Sequence, residues 1–85
     1  MKIQRYYLNL DRTEISMPVG AKIFWIGECT QERFLFMDVI IDDSPVKYKV
    51  RVFQTRGPGA EIKKNMKYIG TTNSISVIFH VFEEI

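Results

Sequence analysis

The hydrophobic positions of this chain follow the two-residue period of β-strands, and its last stretch shows the pattern most strongly. Residues 74–84 place Ile75, Val77, Phe79 and Val81 on one side of an extended strand, and Ile78, His80 and Phe82 on the other. A strand that is largely apolar on both sides needs cover on both sides. We therefore expect the final strand to lie at the centre of a sheet or barrel.

Six further short strands are predicted from the same period, at residues 2–10, 14–17, 21–28, 33–41, 46–55 and 66–72. The segment 34–41 is the most hydrophobic and is a second candidate for the centre of a sheet. Turns or loops are expected at 11–13, 19–20, 29–32, 42–45 and 56–60, and at Asn73. Pro18 should end the pairing of its strand, 61–65 is either one helical turn or a polar loop, and Gly70 suggests a bulge.

These elements predict the fold class. Five to seven short strands without a convincing amphipathic helix favour an all-β, mainly antiparallel fold, either a small, partly open barrel or a sandwich. Residues 1–85 are expected to form a single domain, because so short a chain has no room for a second core.

The strand at 46–55 carries the first candidate binding surface. Val46, Tyr48, Val50 and Val52 alternate with Lys47, Lys49 and Arg51, which predicts a half-exposed strand near a sheet edge with a basic outer face. Phe53 follows in the basic row and could stack on a base. A solvated face that keeps the protein soluble is the simplest interpretation; nucleic acid, a nucleotide or an acidic protein partner are the alternatives.

The segment Thr55-Arg56-Gly57-Pro58-Gly59 is the second candidate. Glycines let backbone amides approach a phosphate, and an arginine can bind it through two hydrogen bonds. The segment lacks the Gly-Lys-Ser or Gly-Lys-Thr of a P-loop, so a plain turn is the first interpretation and a nucleotide-binding loop the second. The candidate binding residues are therefore Lys47, Lys49, Arg51, Phe53, Arg56, Gly57 and Gly59.

Catalytic and metal chemistry have weak support. A catalytic triad could be drawn from Ser76, His80 and Asp38, but no nucleophile motif accompanies these residues in the sequence. Asp42 and Asp43 suit turn capping better than calcium binding. The sequence thus predicts a protein that is not an enzyme and uses no metal or cofactor.

Trp25, Phe34 and Phe36 are interpreted as core residues. Should one of the two strands that are apolar on both sides prove uncovered, these aromatic residues would become the anchors of an interface.

The composition limits the class of protein and its expected location in the cell. The 85 residues are 46% hydrophobic, which argues against disorder, and the net charge of +2 is low for a dedicated nucleic-acid binder. Cys29 is the only cysteine, so no internal disulfide is available, and no apolar run is long enough for a signal peptide or membrane span. We therefore expect a cytoplasmic protein with no membrane association, and self-association into a homodimer or small oligomer is an open alternative.

Three segments carry a family resemblance: Met17-Pro18-Val19-Gly20-Ala21-Lys22-Ile23, Tyr68-Ile69-Gly70-Thr71 and Phe79-His80-Val81-Phe82-Glu83. In this order and separation they resemble a family of small, uncharacterised proteins encoded by bacteriophages and prophages. Members typically have Thr-Gly-His-Pro where this chain has Thr55-Arg56-Gly57-Pro58, so no role of the loop histidine carries over. The resemblance implies a phage-type protein that binds and inhibits a host or anti-phage defence protein; a protein that sequesters a nucleotide signal, or a single-stranded nucleic-acid binder, is the alternative.

Overall fold

Two antiparallel sheets face each other and enclose the hydrophobic core. The computed structural model describes residues 1–29, 34–45, 47–72 and 78–85. These described residues form seven strands, which are β1 (Lys2–Leu8), β2 (Arg12–Pro18), β3 (Lys22–Cys29), β4 (Phe34–Ile41), β5 (Tyr48–Arg56), β6 (Met66–Thr71) and β7 (His80–Glu84). Sheet A has the order β1-β4-β3, and sheet B has the order β2-β5-β7-β6. The all-β prediction is confirmed, in its sandwich form.

Two of the three internal strands, β4 and β7, are those predicted from their apolar faces. β4 lies between β1 and β3, and β7 lies between β5 and β6. In β7, Val81 is fully buried in the core, and Phe82 on the opposite side is also buried, beneath the edge of the Tyr68 ring. The predicted part at 74–77 lies outside the described residues.

Alternation along β4 shows how the core is built. Leu35, Met37, Val39 and Ile41 are buried, whereas the side chains between them are half-buried or exposed. They pack against the other buried residues of the core, namely Leu8, Met17, Ala21, Ile26, Phe53 and Val81. Burial of this apolar surface is the main force that holds the two sheets together.

The sandwich is closed along its sides by contacts between strand edges. β1 contacts β2 on one side, and β3 contacts β6 on the other. A Cβ atom on Gly70 would lie 2.8 Å from Cγ1 of Ile26, so glycine is required for β6 to approach β3 this closely. The register of β6 against β7 shifts between Tyr68 and Gly70, which confirms the bulge predicted there.

Several boundaries of strands and turns in the structure differ from the predicted ones. The turn placed at 11–13 is wrong, because β2 already begins at Arg12 and the chain crosses between the sheets over residues 9–11. The corner at Val19–Gly20 is confirmed, with Gly20 at φ 89° and a hydrogen bond from Ala21 N to Pro18 O. Residues 61–65 form a loop. The predicted connection at 30–32, Arg33, Val46 and the turn at Asn73 lie outside the described residues.

β5 is not near an edge, which corrects a prediction that bears on the candidate site. It pairs with β2 on one side and β7 on the other. No helix in the described ranges is long and apolar enough to cross a membrane.

Candidate functional site

The outer side of sheet A carries a continuous set of large side chains exposed to solvent. Its register places them in rows across three strands. They are Ile3, Arg5 and Tyr7 from β1, Phe34, Phe36, Asp38 and Ile40 from β4, and Trp25 from β3, and we call this set the aromatic face. Four of the apolar members are strongly exposed: Ile3 (64%), Tyr7 (60%), Trp25 (59%) and Phe34 (44%).

An ion pair lies in the middle of the aromatic face. Arg5 donates from Nε to Oδ1 of Asp38 (2.8 Å) and from Nη2 to Oδ2 (3.0 Å), so both carboxylate oxygens are held. The guanidinium also lies over the Phe36 ring, 3.8 Å from its centroid. Hydrogen bonding from Arg5 lowers the pKa of Asp38 below its usual value, so the carboxylate stays ionised at neutral pH.

Phe36 can lie flat on the sheet because its neighbour across the strand is a glycine. Gly27 pairs with Phe36, and a Cβ atom on Gly27 would lie 2.3 Å from Cζ of that ring. The Phe36 ring thus covers Gly27 and is itself covered by Arg5. Tyr7 meets Phe34 edge to face, with ring centroids 6.1 Å apart. The central side chains of the aromatic face thus pack against one another.

We predict that Gly27→Ala lowers the free energy of unfolding by about 1–3 kcal/mol, because the new methyl group forces the Phe36 ring off the sheet. Urea denaturation measures the change. Gly57→Ala is the matched control, since the nearest atom to its added Cβ among the described residues is Cε1 of Phe79 at 4.0 Å. Equal stability of the two variants would contradict the packing of Phe36 on Gly27.

The aromatic face corrects the interpretation of Trp25, Phe34 and Phe36 as core residues. Trp25 and Phe34 are exposed and Phe36 is half-buried, all on the outer side of sheet A. The condition under which they would serve as interface anchors, an uncovered apolar strand face, is therefore met on β4 and β3.

A groove of about 400 Å³ adjoins Trp25 where β3 meets β6. It is lined by residues 23–26 and 69–71, and both strands have a register shift there. Bulges bend a strand locally and redirect its side chains. The groove is therefore a second feature of shape beside the aromatic face.

The basic row of β5 is not the solvated outer face that the alternation predicted. Phe53 is 1% exposed and lies in the core, so the expectation of a stacking surface is wrong. Arg51 is only 15% exposed and donates to Glu83 from Nε (2.6 Å) and Nη2 (2.7 Å), and from Nη1 to the carbonyl of Ala21 (2.9 Å). The row faces the other sheet, and Lys47 and Lys49 are exposed because they lie at the open end of the sandwich.

The segment around Arg56 forms a turn. Ala60 N donates to Gly57 O, and Gly59 has φ 83° in the position that a Pro-Gly turn requires. Arg56 donates to Thr55 O and lies 3.6 Å from Asp11, so its guanidinium supports the corner after β1. Arg56 and Arg51 are about 17 Å apart along β5 and do not form one site.

His80 and Asp38 are on different sheets, so the structure does not bring them together as members of a catalytic triad. Nδ1 of His80 lies 2.9 Å from the hydroxyl of Thr71, whereas Asp38 is held by Arg5. Ser76 is outside the described residues. In the part of the chain that the structure describes, no three His, Cys, Asp or Glu side chains gather closely enough to hold a metal ion.

Comparison with known proteins gives one match. A family model described as a domain of unknown function, DUF7352, matches residues 1–85. No curated protein and no solved structure matches the chain.

Proposed function

Since residues 1–85 place the chain in the DUF7352 family, whose function is unknown, we propose its function from its surface: it is a binding protein that docks a partner protein on the aromatic face. The observation that carries the proposal is a set of exposed aromatic and aliphatic side chains arranged around the doubly hydrogen-bonded Arg5–Asp38 pair. Trp, Tyr and Arg are the residues that most often dominate binding energy in protein interfaces.

The size of the aromatic face agrees with this role. Three strands of seven or eight residues span roughly 14 Å by 25 Å. That projected area, about 350 Å², is comparable with the largest apolar patches of monomeric proteins, which are often functional. A protein partner can cover a flat surface of this kind, whereas a small molecule needs a concave site that buries most of its surface.

Occlusion of the partner is the mechanism we propose. The resemblance to phage and prophage proteins motivates the class of partner, a host or anti-phage defence protein met in the cytoplasm of the host cell. Docking of the aromatic face would cover part of that protein's surface and would need no covalent chemistry. The pre-formed packing of Phe36, Arg5 and Tyr7 reduces the entropy lost on binding.

We expect Trp25→Ala to weaken partner binding at least about tenfold while leaving thermal stability nearly unchanged, because the side chain is exposed in the free protein. Wild-type protein and variants are immobilised, captured proteins from a bacterial lysate are identified, and the affinity for the purified partner is measured by calorimetry. Tyr48→Ala is the matched control, an aromatic residue of similar exposure (58%) on the outer side of sheet B.

Capture that depends on Trp25 and not on Tyr48 supports the proposal. Binding that survives Trp25→Ala but is lost in Tyr48→Ala would assign the interface to sheet B instead. Sedimentation equilibrium tests whether the partner is a second copy of this chain. A dimer that Trp25→Ala dissociates would show that it is.

A further inference from the structure

Four basic side chains, those of Lys22, Lys49, Arg51 and Lys67, line the open end of the sandwich. Two adjoining depressions, of about 420 Å³ and 390 Å³, share Ala21, Arg51 and Lys67 in their walls. Lys49 also lines the first depression, and Lys22 also lines the second. We call these two depressions together the basic cleft.

The lysines come to the cleft from three strands. Lys22 begins β3, Lys49 lies near the start of β5, and Lys67 lies in β6 opposite Glu83 of β7. Arg51 stands between them and is held in place by Glu83 and by the carbonyl of Ala21. The wall of the cleft is therefore fixed, and the flexible lysine side chains extend from it.

Charge in the cleft is not balanced. Arg51 and Glu83 neutralise each other through two hydrogen bonds. Glu84 also borders the cleft, but its Oε2 accepts from Arg12 and Gln54. Among the residues that the structure describes, Lys22, Lys49 and Lys67 form no ion pair. Positive charge therefore exceeds negative charge at this end of the molecule.

We propose that the basic cleft binds a small phosphate-rich anion, with a diphosphate group seated between Lys49 and Lys67, which line the same depression. Lysine binds phosphate as a point charge, and two lysines on one depression place positive potential on two sides of one ligand.

A nucleic-acid strand fits these features less well. Binding of a single strand needs a groove that follows the backbone and aromatic rings on which bases stack. Arg51 is occupied by Glu83, and Phe53, the aromatic residue of the same row, is buried. The basic residues thus surround a short cleft and do not form the long basic groove that a nucleic-acid strand would follow.

The test uses the full chain and sodium pyrophosphate as the probe, at low ionic strength, with sodium chloride of equal ionic strength as the reference. The cleft variant is Lys49→Gln with Lys67→Gln. The matched control is Arg56→Gln with Lys64→Gln, which removes the same charge from residues outside the cleft. Calorimetry gives Kd, and the shift in Tm on adding pyrophosphate reports binding to the folded state.

Pyrophosphate is expected to raise the Tm of the wild type and the control by a few degrees, and the cleft variant should bind at least tenfold more weakly. ADP in a parallel titration identifies the source of the diphosphate: equal Kd values mean that the group alone is bound, and a lower Kd for ADP means that a nucleoside is contacted as well. Absence of binding to the wild type would overturn the proposal. So would equal weakening in both variants, or binding of a short oligothymidylate without any binding of pyrophosphate.

Discussion

Phe53→Ala is expected to lower the free energy of unfolding by about 3–5 kcal/mol. The side chain is 1% exposed and lies between the sheets with Met17, Met37 and Val81 in the core cluster. A domain of 85 residues has a total stability of about 4–13 kcal/mol. The substitution should therefore leave the protein close to unfolding, as urea denaturation and the near-ultraviolet circular dichroism spectrum would show.

The control for this substitution is Phe34→Ala, the same chemical change on the aromatic face. Phe34 is 44% exposed, so its removal should cost about 1 kcal/mol or less. A large loss for Phe34 together with a small loss for Phe53 would mean that the sides of the strands are assigned the wrong way round.

The contrast between these two phenylalanines shows what alternation alone could establish. It identified the strands and two of the three internal ones, β4 and β7, because β-branched and aromatic residues on both sides of a segment require cover. It did not establish which side of β5 faces the core. Lys47, Lys49 and Arg51 share their side with Phe53 and Thr55, and burial of Phe53 decides the orientation. The basic residues are tolerated there because the sandwich is open at that end.

The aromatic face was missed for a related reason, yet the sequence contained a signal. Residues 34–41 include one charged side chain, Asp38, and the two-residue period puts Phe34, Phe36 and Ile40 on its side of the strand. Burial of an unpaired carboxylate is costly, so that side should face solvent. Arg5, its partner, lies 33 residues away in the chain, and only the register of β1 against β4 brings the two together.

The two proposed sites share β3 but use different residues of it, and they can be tested separately. The aromatic face belongs to the outer side of sheet A and includes Trp25, whereas the basic cleft is lined by residues at one end of β3, β5, β6 and β7. Trp25→Ala should leave pyrophosphate binding unchanged, and the lysine substitutions should leave partner capture unchanged. The Arg51–Glu83 pair contributes to the wall of the cleft and also to the stability of sheet B.

Arg51→Met is expected to destabilise the protein by about 2–3 kcal/mol at pH 7. Removal of one member of a buried ion pair is costly because the other charge is left without its partner. The Arg51–Glu83 pair is only partly buried, with each side chain 15% exposed, so the loss of stability should lie at or below the lower end of the range found for buried pairs. Replacement of Glu83 by Gln in the Arg51→Met background should recover part of the loss, since no unpaired carboxylate remains. Urea denaturation of the four proteins gives the coupling energy of the pair.

The pH dependence of this destabilisation identifies its electrostatic origin. Hydrogen bonds from Arg51 lower the pKa of Glu83 below its ordinary value of 4.5, and the charges of Lys49 and Lys67 act in the same direction. The stabilisation from the pair is therefore complete above about pH 4.5 and is lost as the pH falls through the lower pKa of the folded state. Without Arg51, burial favours the protonated carboxyl, so the stability difference between wild type and Arg51→Met should narrow on acidification from pH 7 to pH 3. Comparison of the two proteins at each pH cancels the similar contribution of Asp38, which both retain. A difference that stayed constant over this range would show that Arg51 stabilises the fold through packing of its aliphatic portion and not through Glu83.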